Sequence, residues 1–544
     1  MKLFKICLLL LVFTGIAHGG VNLKNGNFYT TFIDIVVPGE GADLEISRTY
    51  NSKATEKGWF GFGWGSTYET YLTVSADGSA IIHENGTGAM TRFTPKEAVD
   101  PKAAAKRIIE AMRKKSTITT KVAQDLEKRL VNNAEYRQMY ARRFNVTSKL
   151  AVGTTLHSND RGIQKLEKTK DGYTRVYNDG KKHFFNEDGK LVKITDKNGY
   201  KVVLDYKNGK LKSIKDSHAK QLFFAWYPDG KVKNIWKTGN KKTFYEYDGD
   251  NLKKSTDIES NVYTYSYDGN HNLLDIGYTD GKKMSIEYGK GKMSGLVTKV
   301  TEKNGDYTKY EYGANEKNPD MHYWTIVTKK DPISNKERSN HYEYEIKTRP
   351  DGSPYTYRIL TKVNGLKTET IYSECCSMPL KITRGKHVTT FEYNAKGLLT
   401  KKASTKGDYV ELKYHKEFNK VTRVVNNKGW TNYQYDKKGN LAKAINSKGK
   451  SVLLIYDRKG RITKMVDYNK KSQKKRSLSF EYNALGKPVE IAMSKVGKIH
   501  VAYDNYGEIK KVESKAGHKM ALQVTEAFQS LLAIVKPAGV SFSL

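Results

Sequence analysis

Three lines between Tyr414 and Met465 repeat one another almost position for position. The anchor tyrosines Tyr414, Tyr435 and Tyr456 stand 21 residues apart. Each closes an alternating apolar run and is followed by a polar turn and a second apolar run. A fixed period of this length is the mark of a repeat architecture, in which one supersecondary unit is stacked on the next.

The same anchor extends through most of the chain. Phe185, Tyr206, Tyr227, Tyr247, Tyr267, Tyr288 and Tyr312 form a first series. Tyr372, Tyr393, Tyr414, Tyr435, Tyr456, Tyr482 and Tyr503 form a second. Before each anchor the alternation puts pairs such as Tyr433/Tyr435 and Leu454/Tyr456 on one face of a strand. After it, Asp436 or Asp457 is placed to accept a turn N–H, and Gly439 or Gly460 can take positive φ. The second run carries Leu441 and Ala444, or Ile462 and Met465. A spacing of three fits one face only if a bulge intervenes; otherwise both faces are covered. Fourteen hairpins give about 28 strands, and open twisted sheets seldom exceed ~10 strands without curling. The fold class is therefore mainly β: antiparallel hairpin repeats winding into a large curled sheet or partial β shell, with a small α-helical insertion. Thirty-seven tyrosines in 544 residues agree with this.

The chain divides as follows. Residues 1–19, with Lys2 and Lys5 before an apolar stretch and Ala17-His18-Gly19 at its end, read as a secretory signal. Residues 20–94 are short strands with tight turns. Residues 95–150 are a basic helical insertion opened by Asp100-Pro101, with apolar stripes at Ile108, Ile109 and Met112, at Val122, Leu126 and Leu130, and at Tyr136, Met139, Tyr140 and Phe144. Residues 151–512 are the repeat array, irregular over 313–371, and 513–544 are a tail. No stretch beyond the signal is long and apolar enough to span a membrane as a helix.

Residues 20–94 carry Asn-Gly-Asn-Phe-Tyr at 25–29, Arg-Thr-Tyr-Asn at 48–51, Gly-Phe-Gly-Trp-Gly at 61–65, and Tyr68. With the Tyr-Asp pairs at 247–248, 267–268, 435–436, 456–457 and 503–504, this resembles the Rhs/YD-repeat family and the module that precedes its repeats. The resemblance implies a hollow β shell. In toxin-bearing relatives the shell ends in an Asp-Pro-x-Gly self-cleavage motif before a variable toxic domain. Here Asp-Pro occurs at 100–101 and 331–332 without that continuation, so neither self-cleavage nor a C-terminal toxin is expected. In residues 58–66 aromatics alternate with glycines, which reads as a packed corner in preference to a stacking platform.

The charge of +37, from 95 Lys and Arg against 58 acidic residues, draws the chain towards anionic partners. Lysines spread through every repeat also protect exposed strands from pairing. Arg107, Arg113, Lys114, Lys115, Arg129, Arg137, Arg142 and Arg143 in the insertion are the candidate contacts to an anionic partner, against their alternative role as a solvated face. Cys375 and Cys376 fall in a degenerate turn as a candidate vicinal disulfide. Tyr206, Tyr247, Tyr267, Tyr393, Tyr435, Tyr456, Tyr482 and Tyr503 are assigned as structural anchors. No catalytic, cofactor or metal constellation stands out, so the chain is not expected to be an enzyme. The functional expectation is an exported scaffold, periplasmic, outer-surface or extracellular, that contacts an acidic glycan or another anionic envelope component. The alternative is a shell around a separately encoded polypeptide toxin or effector, and a third, weaker reading is a glycan-active enzyme. Nucleic acid is not the expected partner.

Overall fold

The computed structural model describes residues 18–38, 43–86, 88–95, 100–158, 163–237, 241–330, 336–374, 377–484, 486–503 and 509–535. The body of the expected signal and both Cys375 and Cys376 lie outside these residues. The first strand, His18–Asn22, takes in the last two residues of the expected signal and pairs His18 with Thr31.

The repeats form two antiparallel sheets in which every strand pairs with its neighbours in sequence. A nine-stranded sheet runs from Thr155–Ser158 to Val232–Lys237, and a 24-stranded sheet runs from Phe244–Asp248 to Ile509–Glu513. Neither sheet pairs its first strand with its last, so the shell is partial. The anchor count underestimated the strands. The irregular segment lengthens its hairpins without leaving the sheet, with strands such as His322–Lys330, Glu337–Thr348 and Pro354–Val363.

A bulge answers the spacing of three. The register shifts between Gln434 and Tyr435, so that Tyr435 faces Leu441 and Tyr433 faces Ala444. The same shift between Ile455 and Tyr456 sets Tyr456 against Ile462 and Leu454 against Met465. One extra residue in the second strand brings both apolar side chains to the face the tyrosine occupies. The shift recurs at Phe185, Tyr206, Tyr247, Tyr267, Tyr288, Tyr372, Tyr393, Tyr414, Tyr482 and Tyr503. It also occurs at Trp226, paired with Val232. The anchor of that repeat is therefore Trp226 and not Tyr227, one residue out of the expected register.

One face of the 24-stranded sheet is covered at both ends by other parts of the chain. Over its first strands lies the N-terminal module. Phe28, Phe32, Tyr50, Phe60 and Trp64 share a core with Tyr245, Tyr265, Ile276 and Val297. Over its last strands lies a C-terminal helix, Gly517–Val535. Its Met520, Ala527 and Ile534 are buried against Tyr433, Leu454, Met465 and Leu478. Tyr245 and Tyr433 each stand two residues before an anchor, so both covers sit on the same face.

The insertion folds as three helices, α1 Pro101–Arg113, α2 Thr120–Asn132 and α3 Ala134–Arg143. Asp100 caps α1 by accepting from the Ala103 N–H at 3.0 Å. Val122 and Met139, expected on the apolar stripes, are half exposed. The small core keeps the expected Ile108, Ile109, Leu126 and Leu130 and adds Ala123 and Ala141. Among the described residues no helix is long and apolar enough to cross a membrane.

Candidate functional site

The anchor side chains are occupied by the fold itself. The Tyr435 hydroxyl donates to the Val421 carbonyl at 2.6 Å, Tyr456 to Leu441 at 2.8 Å and Tyr482 to Ile462 at 2.7 Å. Each reaches back to the residue that faces the preceding anchor. Tyr206, Tyr247, Tyr393 and Tyr503 do the same to Leu191, Val232, Pro379 and Pro488, and so does Trp226 through its indole N–H to Leu211. Tyr267 departs from the pattern, because Trp64 of the N-terminal module donates to its hydroxyl at 2.9 Å. The turn aspartates are equally engaged. Asp436 accepts from the N–H groups of Lys438 and Asn440 and from the Asn440 side chain. Burial opposes its ionisation, but these bonds outweigh it and hold its pKa below the usual carboxylate value.

The glycine-aromatic corner is packed, as expected. Trp64 and Phe60 are fully buried. A Cβ on Gly65 would stand 2.1 Å from the Asn85 carbonyl oxygen, so only glycine allows that approach. At its centre is a residue whose role was not anticipated, Arg48. Its Nε donates to Asp34 Oδ2 at 2.6 Å, and its Nη2 donates to Ser255 and Tyr265 across the module boundary. The rings of Phe32, Trp64, Tyr245 and Tyr265 surround it. Burial works against the guanidinium charge, but the Asp34 carboxylate overcomes it and the Arg48 pKa ends above its ordinary value.

The eight basic residues of the insertion do not form one surface. Arg137 is buried. It donates to the carbonyls of Leu130 and Asp351 at 2.8 Å and to Asp77 at 3.3 Å. It is a tie between elements and is not exposed to a partner, a correction to the expectation. Arg92 joins the same network through Asp77 and Asp351. The insertion thereby docks on the irregular segment, whose Gly352 carbonyl accepts from the Ala134 N–H. A cleft of about 570 Å³ opens beside this junction. Arg107 is bound to the Ala76 carbonyl, and Arg142 pairs with Glu56 at 2.9 Å. Arg129 and Arg143 lie over Tyr136 and Phe144. Arg113, Lys114 and Lys115 are exposed at the end of α1.

A third cluster lies on the irregular segment. His322, Glu343 and Glu345 approach one another closely enough to share an ion. The Arg358 guanidinium is bound to both carboxylates and to Glu369, which already supplies the positive charge there.

The largest of these spaces has no counterpart in the sequence expectations. It is a cleft of about 1620 Å³ between the two repeat sheets, lined by turns 178–180, 394–397, 417–420 and 437–439. Lys165, Lys197, Lys396, Lys420, Lys437 and Lys438 line it, against the carboxylates Asp179, Glu392 and Glu417. Lys420 donates to the Gly439 carbonyl at 2.9 Å. Burial, and then the neighbouring Lys197, bring the Lys420 pKa down to about 8. Lys197 and Lys420 are 223 residues apart in sequence, and only the winding of the repeats brings them together.

Residues 18–93 match a family described as a domain of unknown function (DUF6531), and residues 419–542 match the Teneurin YD-shell family. The tRNA3(Ser)-specific nuclease WapA of Bacillus spizizenii is 25% identical over 316 residues, 54% of this chain and 12% of the relative. The tRNA nuclease WapA of Bacillus subtilis (strain 168) is 24% identical over the same shares. The chain thus spans about an eighth of the curated relatives it matches. Among solved structures, TcdB2-TccC3 without its hypervariable C-terminal region is 10% identical, with a TM-score of 0.40 over 90% of this chain and 30% of that one. The Photorhabdus luminescens Tc holotoxin pore is 9% identical, with a TM-score of 0.39 over 89% and 29%. Matches at both ends of the chain agree with the bulged, tyrosine-anchored hairpins between them: this is an Rhs/YD-repeat protein.

Proposed function

We propose that the protein is an exported, non-enzymatic YD-shell scaffold that binds an acidic glycan or a similarly anionic component of the cell envelope. The observation that carries this is the lysine-dominated cleft between the two sheets, lined by six lysines, of which Lys165 is paired with Glu167, and by three carboxylate residues. The net charge of +37 adds long-range attraction to an anionic surface. The tRNA cleavage in the names of the Bacillus relatives belongs to proteins of which this chain matches 12%, and it is not part of the proposal. The test is retention of the purified protein on intact cells and on acidic polysaccharide at moderate salt. Binding to neither would end this reading.

A second reading, a shell around a separately encoded polypeptide, is favoured by one feature. From Ser353 to Tyr409 none of the described residues is fully buried, although the strands there carry Ile359, Ile371, Ile382 and Phe391. This stretch lies between the parts of the sheet covered by the module and by the C-terminal helix. A polypeptide seated there would slow hydrogen exchange in Pro354–Val363 and Pro379–Arg384. Purification without a companion and free exchange in those strands would remove the second reading.

A further inference from the structure

The inter-sheet cleft is built from turns, and turns on one side of a hairpin array recur at every second strand. With neighbouring strands ~4.8 Å apart, equivalent turns stand about 9.5 Å from one another. Lys396, Lys420 and Lys438 belong to successive turns of the 24-stranded sheet, and Lys197 faces them from the nine-stranded sheet. We infer that this cleft seats a strand of acidic polysaccharide, with Lys197 and Lys420 holding one of its anionic groups between them. The inference deepens the glycan-binding reading above and rests on it.

Three features select this ligand class. The first is the meeting of two ammonium groups. Lys197 and Lys420 line the same cleft, close enough that the Lys197 charge depresses the Lys420 pKa while Asp179 and Asp436 act in the opposite direction. Like charges at such a distance repel by an amount that grows as water is excluded, and an anion placed between them turns that cost into two favourable contacts. The 177–180 turn passes close to Lys197, since a Cβ on Gly180 would stand 2.8 Å from Lys197 Cβ.

The second feature is size. About 1620 Å³ exceeds the ~300–1,000 Å³ typical of small-molecule pockets, so a single small anion would leave the cleft mostly empty. A polymer segment would fill it and meet lysines on several turns in succession.

The third feature is the rest of the lining. Phe391 offers apolar ring surface to the C–H faces of sugars, whereas Tyr177 is covered by Arg175 and Phe418 by His415, and Asp179, Glu392 and Glu417 can accept sugar hydroxyls. Those carboxylates disfavour duplex DNA, which carries one negative charge per ~1.7 Å of axis and would set phosphates against them. A polysaccharide with sparser charge can alternate anionic groups on the lysines with hydroxyls on the carboxylates.

The test compares polygalacturonate, dextran sulfate, neutral dextran and duplex DNA as probes of the full chain at one salt concentration. The Lys197→Gln/Lys420→Gln double variant is expected to bind polygalacturonate or dextran sulfate about tenfold more weakly, the loss of one to two charge-assisted contacts. A Lys317→Gln/Lys336→Gln control, at exposed lysines outside the cleft, should change binding by no more than about twofold, as for screened surface charges. The arm that responds more strongly identifies the anion as carboxylate or sulfate. Lys420 of the unmodified protein should also be shielded from acylation by the bound polysaccharide, a readout that needs no variant. Equal weakening by both pairs, unchanged binding by the cleft variant, or tighter cleft-dependent binding of DNA would overturn the assignment. If the unmodified protein binds neither acidic polysaccharide, the broader glycan-binding reading falls with it. If it binds them regardless of the cleft, only the cleft assignment falls.

Discussion

The Tyr456 hydroxyl donates a 2.8 Å hydrogen bond to the carbonyl of Leu441, the residue that faces the preceding anchor, Tyr435. The bulge creates this bond. It interrupts the ladder at the anchor, and the next tyrosine along the sheet reaches back to the Leu441 carbonyl. Removing the hydroxyl while keeping the ring should therefore isolate that one contact. Tyr456→Phe is expected to destabilise the protein by about 1 kcal/mol, and Tyr456→Ala by about 3–5 kcal/mol through the added cavity. Urea denaturation of the late repeats measures both. Equal losses would mean that the hydroxyl and not the ring carries the anchor.

Arg48 gives a sharper contrast. Its partner Asp34 is buried and also accepts from the Tyr245 hydroxyl at 2.8 Å, so deleting the guanidinium leaves a carboxylate without its counter-charge. Arg48→Met should cost about 3–5 kcal/mol, whereas Arg48→Met combined with Asp34→Leu should recover much of that loss. Limited proteolysis of the N-terminal module, together with denaturant midpoints, would show it. A double variant as unstable as the single one would mean that Arg48 acts through its hydrogen bonds to Ser255 and Tyr265.

How far the sequence foretold this molecule depends on the range of the interaction. Period, alternation and turn residues are local, and they led to the hairpins and the Asp436 and Asp457 turns, but not to the division of the array into two sheets. The bulge left its trace only as the Leu441/Ala444 spacing, which two geometries could satisfy until the register was known. At Trp226 a tyrosine next door drew the anchor one place too far, because an indole N–H can make the bond that a phenol makes elsewhere. Contacts across hundreds of residues left no local mark. Arg137 looks like its basic neighbours in the insertion, and its burial follows from Asp77 and from the 349–354 turn. Lys197 and Lys420 are ordinary turn lysines until the two sheets face each other.

His83 makes stability depend on pH in a defined window. The ring is buried, stacks on Tyr71 at 4.3 Å and bonds to Thr73. Burial, and then Arg142, lower its pKa to about 4, while Glu56 and Glu84 act in the opposite direction. In the unfolded chain the group titrates near its ordinary 6.5. Between the two values the unfolded state binds the proton and the folded state does not, so stability falls as pH drops from about 6.5 to 4. The loss attributable to His83 should reach about 2–3 kcal/mol at the lower end. His83→Gln should flatten the stability profile over that window and leave it unchanged above pH 7. The loss from depressed carboxylates such as Asp77 and Asp436 belongs at lower pH, below the ordinary carboxylate range, so the two effects separate. A variant with the same slope between pH 6.5 and 4 would assign the transition to other groups.

Lys420 should be chemically distinct from the other lysines. Its pKa of about 8 makes about half of its amine neutral at pH 8, against roughly one part in three hundred for a lysine at the ordinary value. An amine-acylating reagent at pH 8 should thus label Lys420 ahead of exposed lysines such as Lys114, with the label located by peptide mass. Burial comes first among the causes and the Lys197 charge second, so Lys197→Met should raise the pKa part of the way back and slow the labelling. The stability linkage has the same origin. A lysine depressed in the fold carries its penalty fully below the folded pKa, and stability rises between about 8 and the unfolded 10.5 as the unfolded state alone retains the proton. Lys197→Met should reduce that rise. Labelling of Lys420 that is slow, or unaffected by Lys197→Met, would show that the two ammonium groups do not meet in the cleft.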